Sequence, residues 1–276
     1  MVDQLFELFL RCFPEYQTSR EVFEEQLRPG EAHVIAEYEK GRLAGYAMIH
    51  GGSIPVLCVD EELRGQGIGS RLLAAAEDHI RGRGAEKLTL GCGPHYLLQG
   101  VPDVGGNVHF FEKRGYTADW TSVNMELPLA EFERSKLSIP PAPDGIVYRF
   151  ADKGDMPELL AAVEAAEPNW PGIFETCVDP ILLAVLDGKI AGFEILAPNG
   201  GRFLRPGHQV GCVGCVGVAP AYQERGIGMD MVAHGIQWLK EQGCTLIELR
   251  YVWLESWYGK LGFQTTRRQW MGEKVL

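Results

Sequence analysis

Two stretches of this chain carry the same punctuation. Cys58-Val59-Asp60-Glu61-Glu62-Leu63-Arg64-Gly65-Gln66-Gly67-Ile68-Gly69 and Gly217-Val218-Ala219-Pro220-Ala221-Tyr222-Gln223-Glu224-Arg225-Gly226-Ile227-Gly228 align without a gap from Val59 and Val218 onward. Upstream, Gly41-Arg42-Leu43-Ala44-Gly45-Tyr46 matches Gly188-Lys189-Ile190-Ala191-Gly192-Phe193. Downstream, Phe110-Phe111-Glu112-Lys113-Arg114-Gly115-Tyr116 matches Trp257-Tyr258-Gly259-Lys260-Leu261-Gly262-Phe263. Matches in the same order mean that one folding unit has been used twice. The 276 residues are therefore expected to hold two copies of one architecture.

The boundary follows from composition. Leu137-Ser138-Ile139-Pro140-Pro141-Ala142-Pro143-Asp144-Gly145 cannot continue a helix or a central strand and reads as an extended spacer. The expected domains are 1–130 and 145–276, with 131–144 as a Pro-rich linker. Within each copy a helical region (Glu21 to Leu27; Met156 to Ala166) precedes two strands joined at Gly41 or Gly188. A third apolar strand follows (Ile54 to Val59; Val210 to Val218), then the glycine turn and an amphipathic helix. That helix carries Ile68, Leu72, Leu73, Ala76 and Ile80 on one face in the first copy, and Ile227, Met231, Val232, Ile236 and Leu239 in the second. A further strand (Lys87 to Leu90; Leu246 to Tyr251) and a short helix close each copy. Helices interleaved with strands imply an α/β or α+β fold, with a sheet covered on both faces.

Composition narrows the function. Lys plus Arg is 26 against 37 for Asp plus Glu, a formal charge of −11, which argues against a nucleic-acid binder and permits a cationic small molecule. No apolar run is long enough to span a membrane, and the N-terminus carries acids where a signal peptide carries Lys or Arg. Seven cysteines without an export signal read as reduced thiols in a cytoplasm. Cys212 and Cys215 have C-x-x-C spacing but lie in an apolar strand with no second ligand pair, so no metal is expected.

A glycine turn between a strand and a helix N-terminus is a ready anion site, because the first helical N–H groups are unpaired and glycine lets a phosphate approach them. A P-loop would need Gly-Lys-Ser/Thr, which neither copy has. A dinucleotide fingerprint would need a third Gly or Ala where Ser70 or Met231 stands and an acid after the next strand, which the first copy lacks. What fits is Arg/Gln-x-x-Gly-x-Gly, in Arg64–Gly69 and Gln223–Gly228. This resembles motif A of the GCN5-related N-acetyltransferase (GNAT) superfamily, and the closing Phe110–Tyr116 and Trp257–Phe263 segments resemble that family's Tyr-Glu-Lys-x-Gly-Phe run. The resemblance spans nearly the whole chain and implies two tandem GNAT domains, each a mixed central sheet flanked by helices.

The resemblance also implies acetyl-CoA as co-substrate. Its diphosphate would lie on the turn formed by Arg64, Gly65, Gln66, Gly67, Ile68, Gly69 and Ser70, or by Gln223, Glu224, Arg225, Gly226, Ile227, Gly228 and Met229. The pantetheine arm would pair with Cys58–Val59 or Gly217–Val218. A primary amine of a small molecule would then attack the thioester directly. The family's proton-donating Tyr aligns with Tyr258 in the second copy but with Phe111 in the first, and a phenol can return a proton where Phe cannot. Glu248 and Glu194, acids within predicted strands, are the candidate bases. The expectation is thus an N-acetyltransferase with its chemistry in the C-terminal half. Alternatives are a catalytic N-terminal half, whose long loop carries His95, Asp103 and His109 as exposed residues rather than catalysts, and a non-catalytic acyl-CoA-binding or sensing protein.

Overall fold

The computed structural model describes residues 1–28, 30–93 and 97–276. The first repeat runs α1 (Val2–Cys12), α2 (Arg20–Glu24), β1 (Ala32–Glu39), β2 (Arg42–His50), β3 (Ser53–Val59), α3 (Ile68–Gly82), β4 (Lys87–Leu90), β5 (Val101–Pro102), α4 (Asn107–Glu112) and β6 (Thr121–Pro128). The second runs β7 (Val147–Phe150), α5 (Met156–Ala166), α6 (Pro171–Thr176), β8 (Ile181–Leu186), β9 (Lys189–Ala197), β10 (Val210–Val218), α7 (Ile227–Glu241), β11 (Leu246–Val252), α8 (Glu255–Gly259), β12 (Gln264–Trp270) and β13 (Glu273–Val275).

Local chemistry accounts for most of these elements. The hairpins β1–β2 and β8–β9 turn through Lys40-Gly41 and Asp187-Gly188, all four residues at positive φ, the left-handed pairing that matches the twist of the strands it joins. Helix α1, absent from the sequence reading, buries Leu5, Leu8 and Phe9, an i, i+3, i+4 stripe. Ser19 starts α2 by accepting from the Val22 N–H at 3.3 Å. Helices α3 and α7 both begin at a left-handed glycine, Gly67 at φ 81° and Gly226 at φ 78°. Only glycine adopts that conformation without steric cost.

The chain forms two compact units that do not coincide with the two repeats. One holds Met1–Val123, Arg202–Leu204 and Arg267–Leu276; the other holds Asn124–Gly201 and Arg205–Thr266. In the first, the strand order is β1-β2-β3-β4-β13, and β13 pairs antiparallel with β4. In the second, β7 to β11 lie in reverse order beside β6, which neighbours β11. The strand that ends each repeat thus completes the sheet of the other unit.

In the first unit α1 and α2 cover one sheet face, where Leu8, Phe9 and Phe23 meet Tyr46, Met48 and Val56. Helix α3 covers the other, where Leu72, Leu73 and Ile80 meet Ala47, Ile49 and Leu88. In the second unit Leu159, Val163 and Phe174 pack on Leu183 and Phe193. Among the described residues no helix is long and apolar enough to cross a membrane.

Candidate active site

The site of the first unit is built where two parallel strands part. Strands β3 and β4 pair only at Ser53–Thr89 and Ile54–Leu90, and beyond Gly91, whose N–H donates to the Ile54 carbonyl at 2.8 Å, they diverge. Asp60 N–H donates to the Ala44 carbonyl, which sets the antiparallel phase of β3 against β2. By alternation, Cys58 and Val56 bond across to β2, while Leu57 and Val59 turn their N–H and C=O groups toward the gap. The pantetheine edge is expected at Cys58–Val59. Geometry adds Leu57, which strict alternation backward from Val59 would have indicated, and directs the Cys58 side chain into the α1 core.

The motif's first residue has a visible task in both copies. Arg64 Nε donates to the Val59 carbonyl at 3.1 Å, and Gln223 Nε2 donates to the Val218 carbonyl at 3.1 Å. Each ties the turn to the last residue of the preceding strand. The Cys12 thiol also donates to the Val59 carbonyl, at 3.4 Å. A hydrogen bond from the Cys58 thiol, offset in part by burial and helped by the nearby Arg64 charge, lowers the Cys12 pKa, whereas burial raises that of Cys58.

A cavity of about 460 Å³ follows the gap and the turn. Cys58, Val59, Arg64, Gly65, Gly67, Ile68, Gly69 and Ser70 line it, with Cys12 and Arg114; Gln66 does not. The Gln66 carbonyl instead accepts from Arg71 at 3.3 Å. A Cβ on Gly65 would meet nothing within 4 Å, and one on Gly67 would meet only the guanidinium of Arg71, at 3.2 Å. The turn is open to a ligand.

The second unit repeats the backbone but not the opening. Strands β10 and β11 pair at Val210–Leu246, Gly211–Ile247 and Cys212–Glu248 and then part. Glu224 takes φ 62° where the first copy has Gly65 at 80°. A Cβ on Gly226, however, would lie 2.5 Å from the Pro141 carbonyl oxygen and 3.1 Å from that of Pro140. The Pro-rich linker covers this turn with two electronegative oxygens. The first turn of α7 also carries Asp230, which accepts from Tyr148 at 2.8 Å and from Arg134, where α3 carries Arg71.

The candidate catalytic side chains divide. Tyr258 stands on α8 between Trp257 and Phe263, and burial raises its pKa. Glu248, buried, occupies the last paired position before β10 and β11 part. Glu194 lies under α7 against Gly235, about 12 Å along the helix from its start at a rise of 1.5 Å per residue. Burial raises its pKa well above the usual carboxylate range, and its oxygens have no hydrogen-bond partner among the described residues. Such burial favours the neutral form of this carboxyl over the charged one. Asp103 and His109 are exposed; His95 lies outside the described residues. The seven cysteines form no disulfide.

Splayed parallel strands and a glycine turn before a helix, present twice, define a tandem acyltransferase architecture. A model of the Acetyltransferase (GNAT) family matches residues 2–116 and 153–263. The chain belongs to this family, whose members are acetyltransferases with acetyl-CoA as co-substrate. It is 28% identical over 263 residues to a mycothiol acetyltransferase of Kytococcus sedentarius, covering 86% of this chain and 79% of the relative. It is 30% identical over 278 residues to that of Tsukamurella paurometabola, covering 88% and 87%. The fold is similar to a glucosamine N-acetyltransferase region of a fungal multi-domain β-N-acetylglucosaminidase, with TM-score 0.83 at 22% identity over 99% of this chain and 37% of that one. It is also similar to a tandem GNAT protein from the clavulanic acid biosynthesis pathway, with TM-score 0.70 at 16% identity over 99% of this chain and 94% of that one.

Proposed function

We propose that this enzyme moves the acetyl group of acetyl-CoA to a primary amine of a small molecule, and that the first unit holds the donor. One observation carries the choice of half. The turn at Gly67 borders a cavity of about 460 Å³, whereas the turn at Gly226 has linker carbonyls at 2.5 and 3.1 Å from where a Cβ would stand. The reading therefore departs from the expectation of a C-terminal catalytic half.

Acetyl-CoA supplies the thioester that the amine attacks. Within this half, the N–H groups that open α3 would receive its diphosphate. The Leu57 backbone groups and the Val59 N–H that face the gap would pair with the pantetheine arm, and a backbone N–H there would polarise the thioester carbonyl. An alkylamine with pKa near ~10.4 is only about one part in 2,500 neutral at pH 7, so a base or relayed water must remove its proton. The relatives' name supports a small-molecule acceptor, and the net charge of −11 permits a cationic one. Seven unbridged thiols support a cytoplasmic setting.

A second reading keeps the chemistry in residues 145–276, favoured by the phenol of Tyr258 and by Glu248 at the parting strands. Calorimetry with acetyl-CoA on the wild type and on Gly67→Glu and Gly226→Glu separates the two. The expected result is one site, lost with Gly67→Glu alone; loss with Gly226→Glu alone would overturn the choice of half.

A further inference from the structure

Arg114 borders the same cavity, and its guanidinium is already held in place. It lies 3.7 Å from the centroid of the Phe110 ring. Its Nη2 donates to Ser70 Oγ at 2.6 Å, and its Nη1 donates to the Phe110 carbonyl. A guanidinium has five N–H donors, so donors remain for a ligand. Ser70 sits in the first turn of α3, where backbone N–H groups and the helix dipole also favour negative charge.

The charge at this position is uncompensated. Several other arginines of the unit meet carboxylates: Arg71 pairs with Glu37 at 2.6 Å, and Arg11 and Arg42 with Asp60 at 3.0 and 2.5 Å. Among the described residues neither Arg64 nor Arg114 has a carboxylate partner. Two unpaired guanidinium groups therefore border one glycine turn, in a chain whose net charge is −11. The second copy has Arg225 in its turn but no counterpart of the Arg114–Ser70 pair: Leu261 stands at the place of Arg114, Met229 at that of Ser70 and Asp230 at that of Arg71.

We infer that Arg114 binds a phosphate of the donor's nucleotide half and so makes the first unit select an acyl-CoA over an acyl-pantetheine. The inference rests on the reading that this unit holds the donor. Fixed planar donors suit a phosphate, and holding them in advance removes the entropy cost of ordering the side chain on binding. The diphosphate and the 3′-phosphate of CoA offer the same chemistry, and the test separates them.

The experiment is calorimetry on the full chain with CoA and with 3′-dephospho-CoA, using the wild type, Arg114→Met and Arg114→Lys. Methionine keeps the packing on Phe110, and an unchanged melting temperature shows that the variant is folded. Loss of a charge-assisted hydrogen bond is expected to weaken CoA binding by roughly tenfold to a hundredfold, with partial recovery in Arg114→Lys. An equal loss with both ligands assigns the contact to the diphosphate; a loss confined to CoA assigns it to the 3′-phosphate. Unchanged CoA affinity in folded Arg114→Met overturns the inference and leaves the donor half standing. A wild type that binds no CoA, or whose binding depends on Gly226 rather than Gly67, overturns the reading beneath it.

Discussion

A side chain on Gly226 would begin 2.5 Å from the carbonyl oxygen of Pro141. The corresponding glycine of the first copy, Gly67, has the same left-handed backbone and faces a cavity. The motif is kept in both places, yet a segment of the chain's own linker lies over one of them. The two turns therefore differ in access while sharing a conformation.

That difference has a cost in stability that can be read directly. Alanine at either position meets the left-handed penalty, roughly 1–2 kcal/mol. At Gly226 it must also displace backbone carbonyls, and overpacking adds about 1–3 kcal/mol. Gly226→Ala is expected to lower urea stability by about 3 kcal/mol and Gly67→Ala by about 1, since a Cβ there meets one side-chain nitrogen rather than backbone carbonyls. Equal losses would show that the linker does not press on the second turn.

Tyr258→Phe is expected to leave turnover nearly unchanged if the donor sits in the first unit. A general acid contributes about 10²–10⁴-fold, so a fall of that size in the release of free CoA thiol across an amine panel would place the chemistry in the second repeat.

Glu194 gives a pH signature. Burial raises its folded pKa, so its contribution to stability is fully present below the unfolded glutamate pKa near ~4.3 and declines as pH rises through the folded value. Glu194→Gln removes that decline. Its melting temperature should exceed that of the wild type at neutral pH, by about 2–4 °C per kcal/mol gained, while activity is retained. A lower melting temperature at pH 7 with abolished turnover would favour Glu194 as the base.

Cys12 borders the cavity and has a lowered pKa, so iodoacetamide should modify it ahead of Cys58, which is buried with a raised one. Saturating acetyl-CoA should slow that reaction at least tenfold, about the fraction left unliganded at ten times Kd. Mass spectrometry of the labelled peptides decides it; equal labelling with and without the ligand would count against a donor at Val59.

A fragment ending at residue 144 should not behave as a folded half. It lacks β13, the antiparallel partner of β4, and would expose an unpaired strand edge that promotes association. Monomeric, protease-resistant 1–144 would show that the exchanged strand is dispensable.

How much of this was legible in the sequence depends on the range of each interaction. The repeat, the strands around Gly41 and Gly188, the span Met156–Ala166 and both glycine turns are visible because each follows from a few adjacent residues. Helix α1 was hidden among acids, although Leu5, Leu8 and Phe9 form its buried stripe. Leu57 was within reach through alternation. Nothing local marked Glu194 as lying beneath a helix, because a strand acid can face either way and the packing of α7 through Gly235 settled which.

The architecture and the backbone of the two turns were therefore written in the order of residues, since a left-handed glycine before an apolar helix needs no distant partner. Which turn is open was not. Pro141 and Gly226 stand far apart in the chain, and their approach arises only when the linker is laid against α7 by the folded unit around it. The same holds for Arg114, whose guanidinium meets Ser70 only after α4 packs beside α3. Contacts of long sequence separation carry no periodic trace, because their partners are chosen by packing rather than by spacing.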